Sequence, residues 1–421
     1  MYQRSDRKNE RRIFTMNIPN KNELTRIYGE AEKSAARFQA VADHFAEIYH
    51  HDIAEFFTAP GRTEIIGNHT DHNGGRVIAG SIDMDTIGAA YPNNTSEGYD
   101  KEVVVDINDL ASVPKAQGTV SLVAGMVEAI QKFGFKVAGF DAYVTTNVIR
   151  AAGVSSSASF EMLVCSIINY FFNDGAMTYI NYAKAGQYAE NVYWLKASGL
   201  MDQLACAVGG PILLDFSDRE NPKYEKVNFS FHDYDHHLVI VNTGKGHADL
   251  SEEYSEIPME MKEAAKAAGA ELLCETTLDK VLANMDKIDN DRAILRAIHF
   301  FKENERVERA AKAVEEKDGE TVLKLLSESG ESSWELLQNC YPIKAYTEQK
   351  ISVALALTDL FLEKLGKGIC RIHGGGFAGV IMCVVPEEET ENYVSYISEF
   401  AGKENVYPMN IRAVGAVHIE K

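Results

Sequence analysis

The stretch Ile149 to Phe172, IRAAGVSSSASFEMLVCSIINYFF, sets the reading of everything around it. A turn of small residues with three consecutive serines runs straight into apolar positions at helical spacing: Phe160, Leu163, Val164, Ile167, Ile168 and Phe171. It reads as a loop that empties into a buried helix. The first backbone N–H groups of such a helix lack intrahelical partners and carry the positive end of the helix dipole. A loop that leaves them uncovered invites an anion, and phosphate is the natural candidate. Taken alone, the stretch fits a serine-rich linker before an ordinary core helix equally well. Other segments break the tie.

A chain of 421 residues suggests two or three domains, and 45% hydrophobic with 25% charged residues is ordinary for a soluble globular enzyme. The formal net charge of −20 argues against nucleic-acid and anionic-membrane partners, which reward clustered Lys and Arg. A small anionic ligand needs only a local positive site. Six cysteines are scattered without a C-x-x-C pair and read as buried thiols in a reducing compartment. The polar N-terminus has no apolar core of a signal peptide, and no run of 18 apolar residues suggests a membrane span. A cytoplasmic protein is expected, with a polar, disordered tail over residues 1–16 and Met16 as an alternative start.

Along the chain, residues 22–50 hold a helical pattern. AEFFTAPGRTEIIGNHTDHNGG follows as a strand, a Pro-Gly break and a polar loop. Strands are expected in RVIAGSIDMDTIGAAY, EVVVDIND and FDAYVTTNVI, with a helix between the last two that ends at Gly134. A helix over about 177–195 carries Gln187 and Glu190, and GLMDQLACAVGGPILLDF gives a short helix stopped by two glycines and then a strand. Composition turns polar after Phe216, which marks the expected boundary between a 17–216 domain and a 217–421 domain. The second half opens on the strand HHLVIVNTG, continues in helices to about 365, and ends with GICRIHGGGFAGVIMCVVP, a helix near 387–402 and the strand NIRAVGAVHIE. Strands and helices mix without strict alternation, so the fold class is α+β.

Three stretches carry chemistry. HGGGFAG contains G-x-G-x-x-G as Gly374, Gly376 and Gly379, but a strand pattern follows where a dinucleotide fold needs a helix. A tight glycine hairpin whose backbone approaches a ligand or another loop fits better, and a purely structural turn remains open. GRTEIIGNHTDHNGG packs Arg62, Glu64, Asn68, His69, Asp71, His72 and Asn73 between two strands, a density of donors and acceptors suited to a polyhydroxylated ligand. Zinc at His69 and His72 is disfavoured, since Asp and Asn are poor companions for a tetrahedral site and no Cys is near. GLMDQ places Asp202 at the head of a small-residue helix, twelve positions after Glu190. An acid there is commonly just a dipole partner.

The order of these motifs resembles the GHMP family of small-molecule kinases, and within it the galactokinases. APGRTEIIGNHTDHNGG is similar to a signature that usually reads Gly-Arg-Val-Asn-Leu-Ile-Gly-Glu-His-Thr-Asp-Tyr-Asn-Gly-Gly. GVSSSASFE resembles the family's phosphate loop, AENVYWLKASGLMDQ its Ala-Glu-Asn to Met-Asp-Gln segment, and RIHGGGFAG its third glycine motif. The resemblance implies a two-domain GHMP kinase architecture, with an N-terminal domain like domain 2 of ribosomal protein S5 and a ferredoxin-like C-terminal domain whose last strand can return to the first. It implies transfer of the γ-phosphoryl group of ATP to a sugar hydroxyl, typically O1 of galactose. Asp202 and Arg62 would be catalytic. Asn68, His69, Asp71, Gly199 and Tyr254 would meet the sugar. Gly153, Val154, Ser155, Ser156, Ser157, Ala158, Gly375 and Gly376 would meet ATP, and Ser156 or Ser157 with Glu190 would hold Mg²⁺. The partners implied are a sugar and ATP, with the chain a monomer or weak homodimer.

This sequence departs from the pattern at named places. Asn68 stands where Glu is usual and His72 where Tyr is, so an amide that also donates replaces a charged acceptor. Ile149, Arg150 and Ala151 replace Pro-x-Gly, and Ala378 replaces a Gly; each added Cβ disfavours positive φ and crowds a phosphate. Two other readings stay open: a catalytically silent sugar and ATP sensor, and a kinase for an amino sugar, a pentose or a mevalonate-like alcohol.

Overall fold

In a computed structural model that describes residues 16–93, 103–149, 153–196, 198–244, 251–377 and 379–421, the helical pattern expected over 22–50 forms two helices, α1 (Lys21–Tyr28) and α2 (Glu32–Tyr49). Asn20 caps the first by accepting from the Glu23 N–H, and Gly29 at φ +76° closes it. Of the tail expected over 1–16 only Met16 is described, buried with Leu24 and Phe38. Arg150, Ala151 and Ala378 also lie outside the described residues.

The Pro-Gly break expected in the first strand does not occur. β1 (Glu55–Ile66) runs through Pro60 and Gly61 and pairs with β2 (Arg76–Pro92), with a register shift between Pro60 and Arg62. Such a bulge re-aims the side chains around it, here Arg62. EVVVDIND is a second correction: residues 103–108 form no strand, and Val103 and Val104 are exposed. Three valines favour extended backbone, but among the described residues no strand pairs with them.

The chain continues through α3 (Thr119–Lys132), β3 (Phe140–Thr146), α4 (Ser156–Asn173), α5 (Tyr179–Tyr188), α6 (Met201–Val208), β4 (Pro211–Asp215) and β5 (Lys223–Lys226). Then come β6 (His236–Asn242), α7 (Ser251–Ala267), α8 (Leu278–Leu282), α9 (Asp291–Glu315), α10 (Gly319–Ser332), α11 (Lys350–Leu365), β7 (Ile369–Ile372), β8 (Val380–Pro386), α12 (Thr390–Ala401), β9 (Val406–Met409) and β10 (Val417–Ile419). The first sheet has the order β10-β1-β2-β4-β5, with β3 also paired to β2. The second, β7-β8-β6-β9, follows the ferredoxin-like order, since its third and first strands lie in the middle. The hairpin expected from RIHGGGFAG joins β7 to β8. β5 and β10 both belong to the first sheet, so two strands from beyond residue 216 complete it. Residue 216 is kept as a proposed boundary with those strands crossing it.

Two cores meet at the turn before α4. One joins the sheets through Ile65, Ile82, Leu238, Ile240, Leu325 and Met382, and includes Val154. The other packs α4 on β1 through Phe57, Met162, Leu163 and Ile167, and includes Ala158. Each fully buried side chain of Leu or Ile size contributes about 1.5–3 kcal/mol. The turn before α4 is thereby anchored at both ends while its serines stay only partly covered.

Candidate active site

The turn ahead of α4 owes its shape to backbone that few residues tolerate. Gly153 has φ +64° and Ser155, a serine in the left-handed region, φ +58°. β1 stitches the turn down: the Arg62 N–H donates to Val154 O at 3.1 Å, and Arg62 Nη1 donates to Gly153 O. A Cβ on Gly61 would stand 2.7 Å from the same Val154 carbonyl, so the strand can come this close only with glycine there. Across the turn, the first part of α6 presents Asp202. Arg62 Nε and Nη2 reach its Oδ1 at 2.8 Å, and Ser155 Oγ donates to its Oδ2 at 2.5 Å. Burial pushes the Asp202 carboxyl up, but Arg62, then Ser155 and Lys196, outweigh it and hold the group below the usual aspartate range. The Asp202 side chain nevertheless keeps 34% of its surface open, against 7% for Arg62.

Glu190 lies in the wide π-type turn Ala189–Tyr193 that ends α5. Ser157 Oγ donates to its Oε1 at 2.8 Å, Lys196 Nζ reaches both oxygens at 3.0 and 3.1 Å, and Ser198 Oγ donates to Oε2. Beneath it, Gln203 Nε2 donates to Glu161 Oε2 at 3.1 Å, while Glu161 Oε1 and Gln203 Oε1 are buried without partners. Burial, reinforced by Glu190, raises the Glu161 pKa well above the usual range. A protonated Glu161 would supply the donor that these two oxygens lack.

The loop between β1 and β2 forms the third side. His69 (φ +60°) turns its Nε2 to Gly375 O at 2.9 Å; a carbonyl can only accept, so that nitrogen carries the hydrogen. Burial, with His72 next, lowers the His69 pKa to about 3, and the ring is neutral. His69, His72 and Tyr254 form a triangle of rings with centroids 5.2 to 6.1 Å apart. Asp71 sits beside Gly199, where a Cβ would lie 2.5 Å from Asp71 Oδ2. Thus a carboxylate on a dipole-bearing turn, an ion-paired arginine and a polar ring-lined corner are assembled from segments far apart in sequence.

The galactokinase galactose-binding signature matches residues 43–92, and the GHMP kinases N terminal domain matches residues 121–210. A galactokinase of Clostridium tetani is 30% identical over 367 residues, covering 84% of this chain and 90% of its own. One from Lactiplantibacillus plantarum is 32% identical over 365 residues, covering 83% and 90%. The chain belongs to the galactokinase family. Its fold is shared with Lactococcus lactis galactokinase solved in complex with galactose, at a TM-score of 0.75 and 24% identity over 90% of this chain and 99% of that one. Methanococcus jannaschii mevalonate kinase shares it at a TM-score of 0.57 and 16% identity, over 85% and 98%.

Within this galactokinase-family site, most of the expected residues meet. Arg62, Asp202 and the 153–158 turn converge, Ser157 faces Glu190, and Ser156 opens α4. Asn68, expected at the sugar, has its side chain engaged within the protein. It has 0% exposure, because Nδ2 donates to Glu64 (3.2 and 3.3 Å) and to Gly374 O (2.8 Å), while Oδ1 accepts from Asn339 (2.9 Å) and Ser333 (3.4 Å). Gly375 and Gly376, expected at the nucleotide, have Tyr254 and Asn339 standing where a Cβ would go. The residue of that motif that meets the phosphate turn is His373, whose Nδ1 lies 3.1 Å from the place of a Gly153 Cβ while Nε2 pairs with Thr63 Oγ1 at 2.9 Å. Sequence reasoning passed over His373, Thr63, Lys196 and Ser198. The first directly precedes the glycine run and the last two fall inside AENVYWLKASGLMDQ, so position within a motif was the available signal.

Proposed function

We propose that this chain transfers the γ-phosphoryl group of ATP to a sugar hydroxyl, O1 of galactose or of a close relative. Family membership supplies the donor, ATP. The observation that carries the reading is Asp202 held by Arg62 and Ser155 directly over the turn that begins α4. In it, the free backbone amides at the head of α4 meet the phosphates, and Asp202 orients the attacking hydroxyl. A carboxylate with a depressed pKa is a weak base, and that suffices. A loose phosphoryl-transfer transition state loses the acceptor proton late, so positioning and electrostatics do most of the work. Arg62, already bridging Asp202 and the turn, sits where charge develops on the moving group.

Mg²⁺ fits the residues present. Ser157 Oγ and Glu190 are hard oxygen donors, the kind this ion takes together with phosphate oxygens and water, and no group of three or more His, Cys, Asp or Glu forms a metal cage among the described residues. Ser157 and Glu190 would hold the ion, which would offset charge on the phosphates. The reading includes a cytoplasmic chain acting as a monomer or weak homodimer; no helix of the described residues is long and apolar enough to cross a membrane. One observation favours a different acceptor of the same class: the buried, saturated amide of Asn68 leaves that corner to His69, His72 and Tyr254. Supplying Mg-ATP with a panel of monosaccharides and following ADP decides. ADP with galactose supports the reading, ADP only with another acceptor moves the substrate, and sugar-dependent thermal stabilisation without ADP replaces it with a sensor.

A further inference from the structure

Glu190 is well placed for a metal, yet it is already occupied. Its side chain is 2% exposed, and hydroxyls from Ser157 and Ser198 and the ammonium of Lys196 donate to it. The ammonium sits within 3.1 Å of both oxygens. Four donor contacts fill the carboxylate's lone-pair sites, so a Mg²⁺ ion, which takes oxygen at about 2.0–2.1 Å, must displace a donor to bind, and the ammonium is the like-charged one.

The chain takes a costly route to put Lys196 there. After the π-type turn, Leu195 adopts φ +55° and is 71% exposed, a leucine in a left-handed conformation with little packing in return. The Lys196 N–H then donates back to Glu190 O at 3.0 Å, which folds the side chain over the carboxylate. Arg62 is committed to Asp202 and Gly153 O, and Lys196 is the cation that answers Glu190. Its side chain as a whole keeps 48% exposure.

We infer that Lys196 is a resident cation that holds the metal's place on Glu190 while no nucleotide is bound, and swings from Glu190 toward the phosphates when the metal nucleotide arrives. This rests on the kinase reading with Glu190 as the metal carboxylate. The exchange keeps the buried Glu190 carboxylate answered by a cation before the metal nucleotide binds, and it keeps free divalent ions from loading ahead of ATP. Lys196 is thus a positioning residue with two addresses.

Manganese alone, counted as free ion by electron paramagnetic resonance against the nucleotide-free full-length chain, tests it. Lys196→Met removes the competitor and is expected to tighten Mn²⁺ binding by about tenfold or more, the effect of one close opposite charge. Lys196→Arg keeps a cation and the weak binding of the wild type. Glu190→Gln placed in the Lys196→Met background removes the gain. With Mg-ATP, Lys196→Met is expected to raise the KM for ATP more than it lowers kcat. Binding of Mn²⁺ no tighter in Lys196→Met than in wild type, or equally tighter in Lys196→Arg, overturns the inference. If Lys196→Met does not fold, acetylation of wild-type Lys196 read by mass spectrometry replaces it: reactivity that rises once Mn²⁺ saturates the weak wild-type site supports displacement, and reactivity unchanged at saturation sinks it. Wild-type ADP formation with the sugar panel is run alongside. Turnover with no manganese effect removes Lys196's role alone, whereas no turnover with any sugar removes the kinase reading.

Discussion

Asp85 and Asp202 are both aspartates held by arginine, and the difference between them separates architecture from chemistry. Asp85 is fully buried and both oxygens are bonded: Arg37 at 2.7 Å to Oδ1, and Arg412 at 2.9 Å, Tyr28 at 2.7 Å and Thr58 at 2.7 Å to Oδ2. Those partners come from α2, the segment before β10, α1 and β1, so one carboxylate ties both ends of the described chain to the first sheet. Asp202 has Arg62 and Ser155 on one side and open surface on the other. In each case burial raises the pKa and arginine pulls it back below the usual aspartate range. Electrostatics alone therefore cannot tell a clamp from a reacting group. The open edge does.

Substitution should split the pair. Asp202→Asn is expected to lower kcat by about 10²–10⁴-fold, the range for a positioned acid–base group, with ATP affinity and unfolding stability retained. Steady-state kinetics and a nucleotide titration check it; normal turnover would take Asp202 out of the mechanism. Asp85→Asn should do the reverse. It leaves two arginines facing a neutral amide and should cost about 3–5 kcal/mol in a urea unfolding curve, with kcat per folded molecule unchanged.

A smaller effect is expected where amide and carboxylate have traded places. The family signature has Asn where this chain has Glu64 and Glu where it has Asn68, and here Glu64 pairs with Arg371 at 3.0 Å while Asn68 bonds to Glu64. Asn68→Glu puts a second carboxylate beside Glu64 and should cost about 2 kcal/mol as a disrupted buried network. Exchanging both, Glu64→Asn with Asn68→Glu, should recover most of that. Equal loss in the single and double variants would show that the two positions are independent.

The smallest effect is a slope. His69 is neutral in the fold, with a pKa lowered to about 3 from an ordinary 6.5. Below pH 6.5 the unfolded chain takes up a proton that the folded chain refuses, so stability falls as pH drops from 6.5 toward 3. His69→Gln should flatten that part of a plot of urea midpoint against pH. Asp85 and Asp202 run with the usual carboxylate sign: their contribution is present above the unfolded aspartate pKa of about 3.9 and is lost below it.

Local physics made the centre of the site legible. The small-residue turn and the 3.6-residue period around Ser156–Asn173 encode a loop and helix without outside help, and Asp202 at a helix head follows the same logic. What could not be read depends on distant contacts. β1 continues through Pro60-Gly61 because the Val154 carbonyl packs against Gly61 and takes the Arg62 N–H. Asn68 looks like a sugar ligand in its own segment and becomes a brace only when Ser333, Asn339 and Gly374 close on it. The valines of EVVVDIND carry strand propensity with no strand to meet among the described residues. Lys196 gains its place from a left-handed Leu195, a conformation that sequence alone gives no reason to expect.

Phosphorus NMR of the wild-type chain with Mg-ATP and galactose tests the Asp202 cleft most directly. The expected result is loss of the ATP γ-phosphate signal with growth of one sugar phosphomonoester signal, both slowed by about a hundredfold or more when Asp202→Asn is substituted. A sugar phosphate formed at the same rate by the Asp202→Asn variant, or none formed by the wild type from any sugar offered, contradicts it.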